Sequence, residues 1–194
     1  MSTSAKPSLV HYHSPNTRSS TIRWLIEELG APHEQHVVNF ARNEQRSPAY
    51  LAVNPMGKVP AIRHNGVLVT ELGAICTYLA DAYPAAGLAP PIGDPDRGPY
   101  LRWMFFYGNC IEPAIVDKAM KREPGQPSMM PYGDFDTTVE TLAAALRPGP
   151  FLLGSRFTAA DVLMGSGVTW ITMFGLLPKR PEFDAYIAAV AARP

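Results

Sequence analysis

The sequence predicts a small α/β domain followed by an all-α domain, an expectation that rests on three observations. Up to about Pro84, short strand-like and helix-like segments alternate. Beyond about Asp94 almost no strand pattern remains. Between the two lies AYPAAGLAPPIGDPD, whose proline and glycine content is that of a linker. The expected boundaries are residues 1–84 for the first domain, 85–94 for the linker and 95–194 for the second domain.

In the first domain, SLVHYH is a strand candidate and RSSTIRWLIEELG a helix, with Ile22, Trp24, Leu25 and Leu29 expected on one face. Gly30 supplies its C-terminal cap, since glycine reaches the left-handed conformation without steric cost. HEQHVVNF is a second strand and SPAYLAVN a short helical turn. KVPAIRH and VLVTE form a hairpin around Asn65-Gly66, a pair suited to a type I′ turn, which needs positive φ at both central positions. ELGAICTYLADAY closes the domain as a helix, giving the order β-α-β-α-β-β-α.

In the second domain, Asp94-Pro95 opens a long helix through YLRWMFFYGNCIEPAIVDKAMKR, which Pro113 must kink or locally break. REPGQPSMMPYG reads as a loop and DFDTTVETLAAALRP as a helix. FTAADVLMGSGVTWITMFG is a helix apolar nearly all round, hence central, and PEFDAYIAAVAARP a last short one. Thr158 and Asp161 fit a capping box, a folding role.

Composition narrows the function classes. Apolar residues make up 46% of the 194, enough for a packed core without disulfides. Lys plus Arg equals Asp plus Glu at 17 each, which argues against a nucleic-acid binder that must neutralise phosphates. Cys76 and Cys110 sit in apolar segments and match no zinc spacing, so two buried, inert thiols and no metal are expected. MSTSAKPSLV lacks a long apolar segment and no apolar run approaches ~18 residues, so no membrane association and a cytoplasmic location are expected.

Pro60 heads what otherwise reads as a buried strand in GKVPAIRHNGVLVTE. Proline cannot donate to a sheet ladder, so taken alone it marks a strand start or an edge. Downstream, Thr70-Glu71-Leu72 opens a helix whose first N–H groups lack intrahelical partners and whose dipole favours an anion.

The run NPMGKVPAIRHNGVLVTELGAICTYLADAYP resembles the N-terminal domain of cytosolic glutathione transferases. SLVHYHSPNTRSSTIRWLIEELGAP resembles their first strand and helix, and FTAADVLMGS the capping-box helix of their C-terminal domain. The resemblance covers essentially the whole chain, in order. It implies a thioredoxin-like domain followed by a helical domain, a homodimer, and a cis peptide bond before Pro60 that turns the Val59 backbone towards a peptide-like ligand.

What the resemblance implies for the site follows the chemistry of glutathione, with two carboxylates, an ammonium and a thiol. The γ-glutamyl carboxylate meets the Leu72 N–H and the Glu71 carboxylate meets the ammonium; many relatives carry Ser at the Leu72 position, so one hydroxyl contact is missing here. Val59 and Pro60 hold the cysteinyl part, while Lys58 and Gln45 suit the glycine carboxylate. The thiol, with a free pKa near ~8.5, must be held as thiolate. YHSPNTRSS offers Tyr12, Ser14, Asn16, Thr17, Arg18, Ser19 and Ser20. Aligned with tyrosine-type enzymes, Tyr12 is the donor beside Arg18; aligned with serine-type and bacterial relatives, it is Ser14, Asn16 or Thr17. Thr17 and Arg18 are preferred, then Tyr12, although Thr17 or Ser19 also suits a helix N-cap. His11 and His13 receive no catalytic role.

An apolar second substrate is expected against the long helix and the apolar helix of the second domain, with Phe106, Tyr107 and Trp170 as its contacts. The function implied is a transferase that adds glutathione sulfur to an apolar electrophile in detoxification, with glutathione as co-substrate. A glutathione-dependent isomerase, dehalogenase or reductase, or a glutathione-fold binding protein without turnover, are the alternatives. A disulfide reductase is disfavoured, because no cysteine lies near Pro60 or the first helix start.

Overall fold

The computed structural model describes residues 8–123 and 125–193. The N-terminal MSTSAKP, read above as lacking a long apolar segment, lies outside the described residues, as do Pro124 of the REPGQPSMMPYG loop and the final Pro194. The chain divides into two compact units after Gly87.

The first unit runs β1 (Leu9–His13), α1 (Ser19–Leu29), β2 (His33–Val37), α2 (Pro48–Leu51), β3 (Ala61–His64), β4 (Val67–Thr70) and α3 (Leu72–Ala82). Its sheet has the order β2-β1-β3-β4. β1 and β2 are parallel, while β3 runs antiparallel to both β1 and β4. This is the thioredoxin-like arrangement. The β3–β4 hairpin turns on Asn65 and Gly66, with φ of 51° and 84°. Residues Leu9, His11 and His13 of β1 are buried on one face, and Val10 and Tyr12 alternate onto the other.

On α1 the buried stripe is Ile22, Leu25, Ile26 and Leu29. Trp24 stands off it, half-exposed, with its Nε1 donating to Glu28 Oε1 at 3.1 Å. At 100° per residue, positions three and four apart share a face, and Trp24 falls beside that stripe rather than on it. The expectation that Trp24 joins the core face is therefore corrected.

The second unit is helical: α4 (Arg97–Phe106), α5 (Glu112–Ala119), α6 (Phe135–Leu146), α7 (Ala159–Met173) and α8 (Pro181–Ala191). The expected long helix starts at Arg97 and divides at a π-helical turn, Tyr107–Ile111, in which the Glu112 N–H bonds to the Tyr107 carbonyl five residues back. Pro113 has no N–H to give to the ladder, and the wider turn just before it absorbs that missing donor. Ten residues of α7 are buried, among them Asp161. The Asp161 carboxylate accepts from the Thr158 N–H (2.9 Å), the Leu152 N–H (2.8 Å) and the Tyr186 hydroxyl (3.1 Å). Burial raises its pKa, and these donors oppose the rise.

Cys76 is buried, and burial pushes its thiol well above the usual range. Cys110 is only half-buried, because the π turn carries it towards the surface; this corrects the expectation of two fully buried thiols.

Candidate active site

The sheet register gathers three chain segments at one end. Tyr12 pairs with Ala61, and Ala61 pairs with Thr70. Because β3 opposes both neighbours, the C-terminal ends of β1 and β4 meet its N-terminal end. The β1–α1 loop, Val59–Pro60 and Glu71–Leu72 therefore lie together.

The Val59–Pro60 bond is cis. Just before it, the Lys58 carbonyl accepts from the Tyr50 hydroxyl at 2.7 Å and from Asn54 Nδ2 at 2.9 Å. Asn54 is buried, and its Oδ1 accepts from the Met56 N–H at 3.0 Å. Gly57 has φ of +61°, and a Cβ there would stand 2.7 Å from the Gln45 carbonyl oxygen. Glycine thus permits a close approach that sets the Gln45 backbone against the Lys58 loop. Gln45 Nε2 donates to Asn43 Oδ1 at 3.0 Å, whereas its Oε1 is buried with no hydrogen-bond partner among the described residues. The Lys58 side chain is exposed.

Glu71 is the residue before α3, with φ 69° and ψ 122°. Such a conformation in a residue with a Cβ costs roughly 1–3 kcal/mol and persists where the surroundings impose it. Its carbonyl accepts from the Ile75 N–H at 2.9 Å, and its exposed side chain makes no cap bond to the helix. No sequence signal marks this strain, because glutamate is not a residue type that favours positive φ.

The β1–α1 loop is held by hydroxyls. Thr17 Oγ1 lies 2.7 Å from the Ser14 carbonyl, to which it donates, and accepts from the Ser19 N–H at 3.2 Å. It also lies 2.7 Å from Ser19 Oγ. Ser19 Oγ in turn accepts from the Ser14 N–H at 3.0 Å and lies 2.8 Å from His13 Nδ1. Arg18, exposed, takes the residue position that opens α1. Tyr12 projects from the other face of the sheet, its ring centroid 5.2 Å from His36 and 6.0 Å from Tyr50.

His11 and His13 are buried on the α1 face with ring centroids 5.4 Å apart. Burial lowers the His11 pKa to about 3, helped by His13, His33 and Arg23. Burial and then Arg23 lower that of His13, opposed by Ser19. Both rings are therefore neutral near pH 7.

In the second unit, the Phe106 ring stands edge-on to Trp103 at 5.2 Å. Tyr107 is buried, donates its hydroxyl to Glu112 Oε1 at 3.0 Å, and covers Gly167, where a Cβ would be 2.2 Å from its Cε2. Trp170, one turn along α7, is half-buried and stacks on the exposed Phe174 at 5.9 Å.

Among the described residues no helix is long and apolar enough to cross a membrane.

Residues 7–81 match the family model described as "Glutathione S-transferase, N-terminal domain". The chain is 35% identical over 191 residues to Glutathione S-transferase 1 of Schizosaccharomyces pombe, covering 90% of this chain and 78% of that protein. It is 27% identical to Glutathione S-transferase GstA of Escherichia coli O157:H7, over 94% of this chain and 92% of that one. Among solved structures, a glutathione transferase homologue from Sulfitobacter with bound glutathione matches with a TM-score of 0.73 and 30% identity, covering 95% of this chain and 93% of the other.

Proposed function

Because the chain belongs to the glutathione S-transferase family, we propose that it binds glutathione at the shared end of β1, β3 and β4 and adds its sulfur to an apolar electrophile. The observation that carries this is the consecutive register Tyr12–Ala61–Thr70, which gathers the hydroxyl-rich loop, the cis-proline and a helix start. Each end of glutathione then has a matched partner. The Glu71 carboxylate faces the ammonium, and the Leu72 N–H with its neighbours takes the γ-glutamyl carboxylate. Val59, next to Pro60, pairs its backbone with the cysteinyl unit, and Lys58 and Gln45 receive the glycine carboxylate.

At the thiol we assign Thr17 as hydroxyl donor and Arg18 as cation, ahead of Tyr12. Support comes from placement: Thr17 Oγ1 accepts a backbone N–H of the first α1 turn, where the helix dipole favours an anion. Tyr12 projects from the opposite face, among His36 and Tyr50. Lowering the thiol pKa by two units needs ~2.7 kcal/mol of differential stabilisation, within reach of a charge-assisted hydrogen bond and a nearby cation. Within the second unit we propose the half-buried Phe106 and Trp170 as contacts of the electrophile, whereas Tyr107, buried against Gly167 with its hydroxyl on Glu112, has no open face to offer it. We take the working form as a cytoplasmic homodimer serving detoxification, as the family resemblance implies.

One observation favours a second reading, a glutathione-binding protein without turnover: the Thr17 proton is directed to the Ser14 carbonyl. Conjugation of glutathione to a chlorodinitrobenzene separates the two. Turnover saturable in glutathione supports the transferase. Thermal stabilisation by glutathione with no conjugate from this or other electrophiles supports the binding protein.

A further inference from the structure

We propose that His13 and Ser19 are positioning residues for thiol activation, forming a directed hydrogen-bond chain His13 → Ser19 → Thr17 that fills the lone pairs of Thr17 and lets its proton turn from the Ser14 carbonyl to a sulfur anion. This rests on the assignment of Thr17 as the thiol's hydroxyl donor.

A count of donors and lone pairs leads to it. A serine or threonine hydroxyl has one proton and two lone pairs. Ser19 Oγ has four polar atoms around it: the Ser14 N–H at 3.0 Å, the Ser14 carbonyl at 3.0 Å, His13 Nδ1 at 2.8 Å and Thr17 Oγ1 at 2.7 Å. Thr17 Oγ1 has the Ser19 N–H at 3.2 Å, Ser19 Oγ, and the Ser14 carbonyl at 2.7 Å. A neutral imidazole carries one proton, so His13 Nδ1 either gives or takes.

If Nδ1 takes, Ser19 spends its proton on His13. Thr17 must then satisfy Ser19 or Ser14 with its own proton, and nothing in the loop gives it a second hydrogen bond from a hydroxyl. If Nδ1 gives, Ser19 accepts from both His13 and the Ser14 N–H, and its proton can go to the Ser14 carbonyl at 3.0 Å or to Thr17 Oγ1 at 2.7 Å. With the Thr17 proton on that carbonyl at 2.7 Å, the Ser19 proton goes to Thr17. Both lone pairs of Thr17 are then filled, by Ser19 Oγ–H and by the Ser19 N–H. Its proton rests on the Ser14 carbonyl and swings to a thiolate when one arrives. Successive donation along such a chain polarises each member, strengthening the last bond by about 10–30% per link. Burial favours the neutral ring this needs, and Arg23, near His13, opposes protonation further.

The decisive readouts are the His13 tautomer and the pKa of glutathione bound to the protein. In the wild-type protein at pH 7, nitrogen-15 NMR of the His13 ring should find the proton on Nδ1; a proton on Nε2 overturns the chain. With saturating glutathione, thiolate absorbance titrations should give a pKa raised by about one unit, a tenfold loss of thiolate, in His13→Leu. His13→Asn, which keeps an N–H donor near the Nδ1 position, should return close to the wild-type value. In a Thr17→Val background, His13→Leu should change nothing further, since the chain then has no end. A wild-type pKa in His13→Leu, with a raised one in Thr17→Val, overturns the chain and leaves the Thr17 assignment standing. A wild-type pKa in Thr17→Val overturns that assignment and the chain with it. Should His13→Leu fail to fold, the tautomer measurement and Ser19→Ala decide: Ser19→Ala must raise the thiol pKa, and failure to do so contradicts the proposal.

Discussion

The Tyr50 hydroxyl donates to the Lys58 carbonyl at 2.7 Å, tying α2 to the backbone just ahead of the cis-proline. Burial, with Tyr12 nearby, pushes the Tyr50 pKa up to about 12, so it remains a donor through the working pH range. Tyr50→Phe removes one of two donors on that carbonyl and frees Lys58 and Val59 to wander. A buried hydrogen bond of this kind is worth about 1 kcal/mol, or roughly a fivefold rise in glutathione Kd. Calorimetric titration checks it, and the bound thiol pKa should stay as in the wild type.

Glu71 offers a stability–function trade. Glu71→Gly relieves the φ of 69° and should raise the free energy of unfolding by about 1 kcal/mol. The same change removes the carboxylate that faces the ligand ammonium, so glutathione affinity should fall about tenfold or more. Denaturant unfolding and calorimetry on one preparation test both signs. Loss of stability together with unchanged affinity would contradict the role given to Glu71.

His11 predicts acid sensitivity. Its folded pKa of about 3 lies below the unfolded value, so the unfolded chain binds the proton more readily. The stability it contributes is present above pH ~6.5 and is lost as pH falls towards the folded value, at up to about 1.4 kcal/mol per pH unit. His13, lowered in the same direction, adds to the slope. Urea midpoints measured at pH 7 and pH 5 should fall with acid in the wild type and fall less in His11→Leu.

Asp161→Ala leaves the Thr158 N–H, the Leu152 N–H and the Tyr186 hydroxyl without their buried acceptor. The expected destabilisation is about 3 kcal/mol or more, visible as a lowered thermal midpoint. Because Asp161 lies in the second unit, a melt that instead stayed at the wild-type midpoint would mean the hub contributes little.

Local chemistry made much of this legible beforehand. Asn65-Gly66 declares its turn through backbone preferences alone, and Thr158 with Asp161 declares a helix start four residues long. The same hairpin sets Val59 near Glu71, but the roles of Lys58, Val59 and Glu71 towards glutathione come from the family resemblance and not from local chemistry. What escaped depends on tertiary surroundings. Trp24 stands beside the core stripe because Ile22, Leu25, Ile26 and Leu29, which the fold buries, set the angle of that face. The π turn at Tyr107–Ile111 relocates the break that Pro113 requires. His13 and Ser19 are six residues apart, and only the fold of the β1–α1 loop reveals that they meet.

The central claim is that this chain holds glutathione as a thiolate. It is tested most directly by titrating the thiolate absorbance of glutathione bound to the wild-type protein. We predict a midpoint at least one unit below the free-thiol value of ~8.5. A bound thiol that titrates with the midpoint of free glutathione contradicts it.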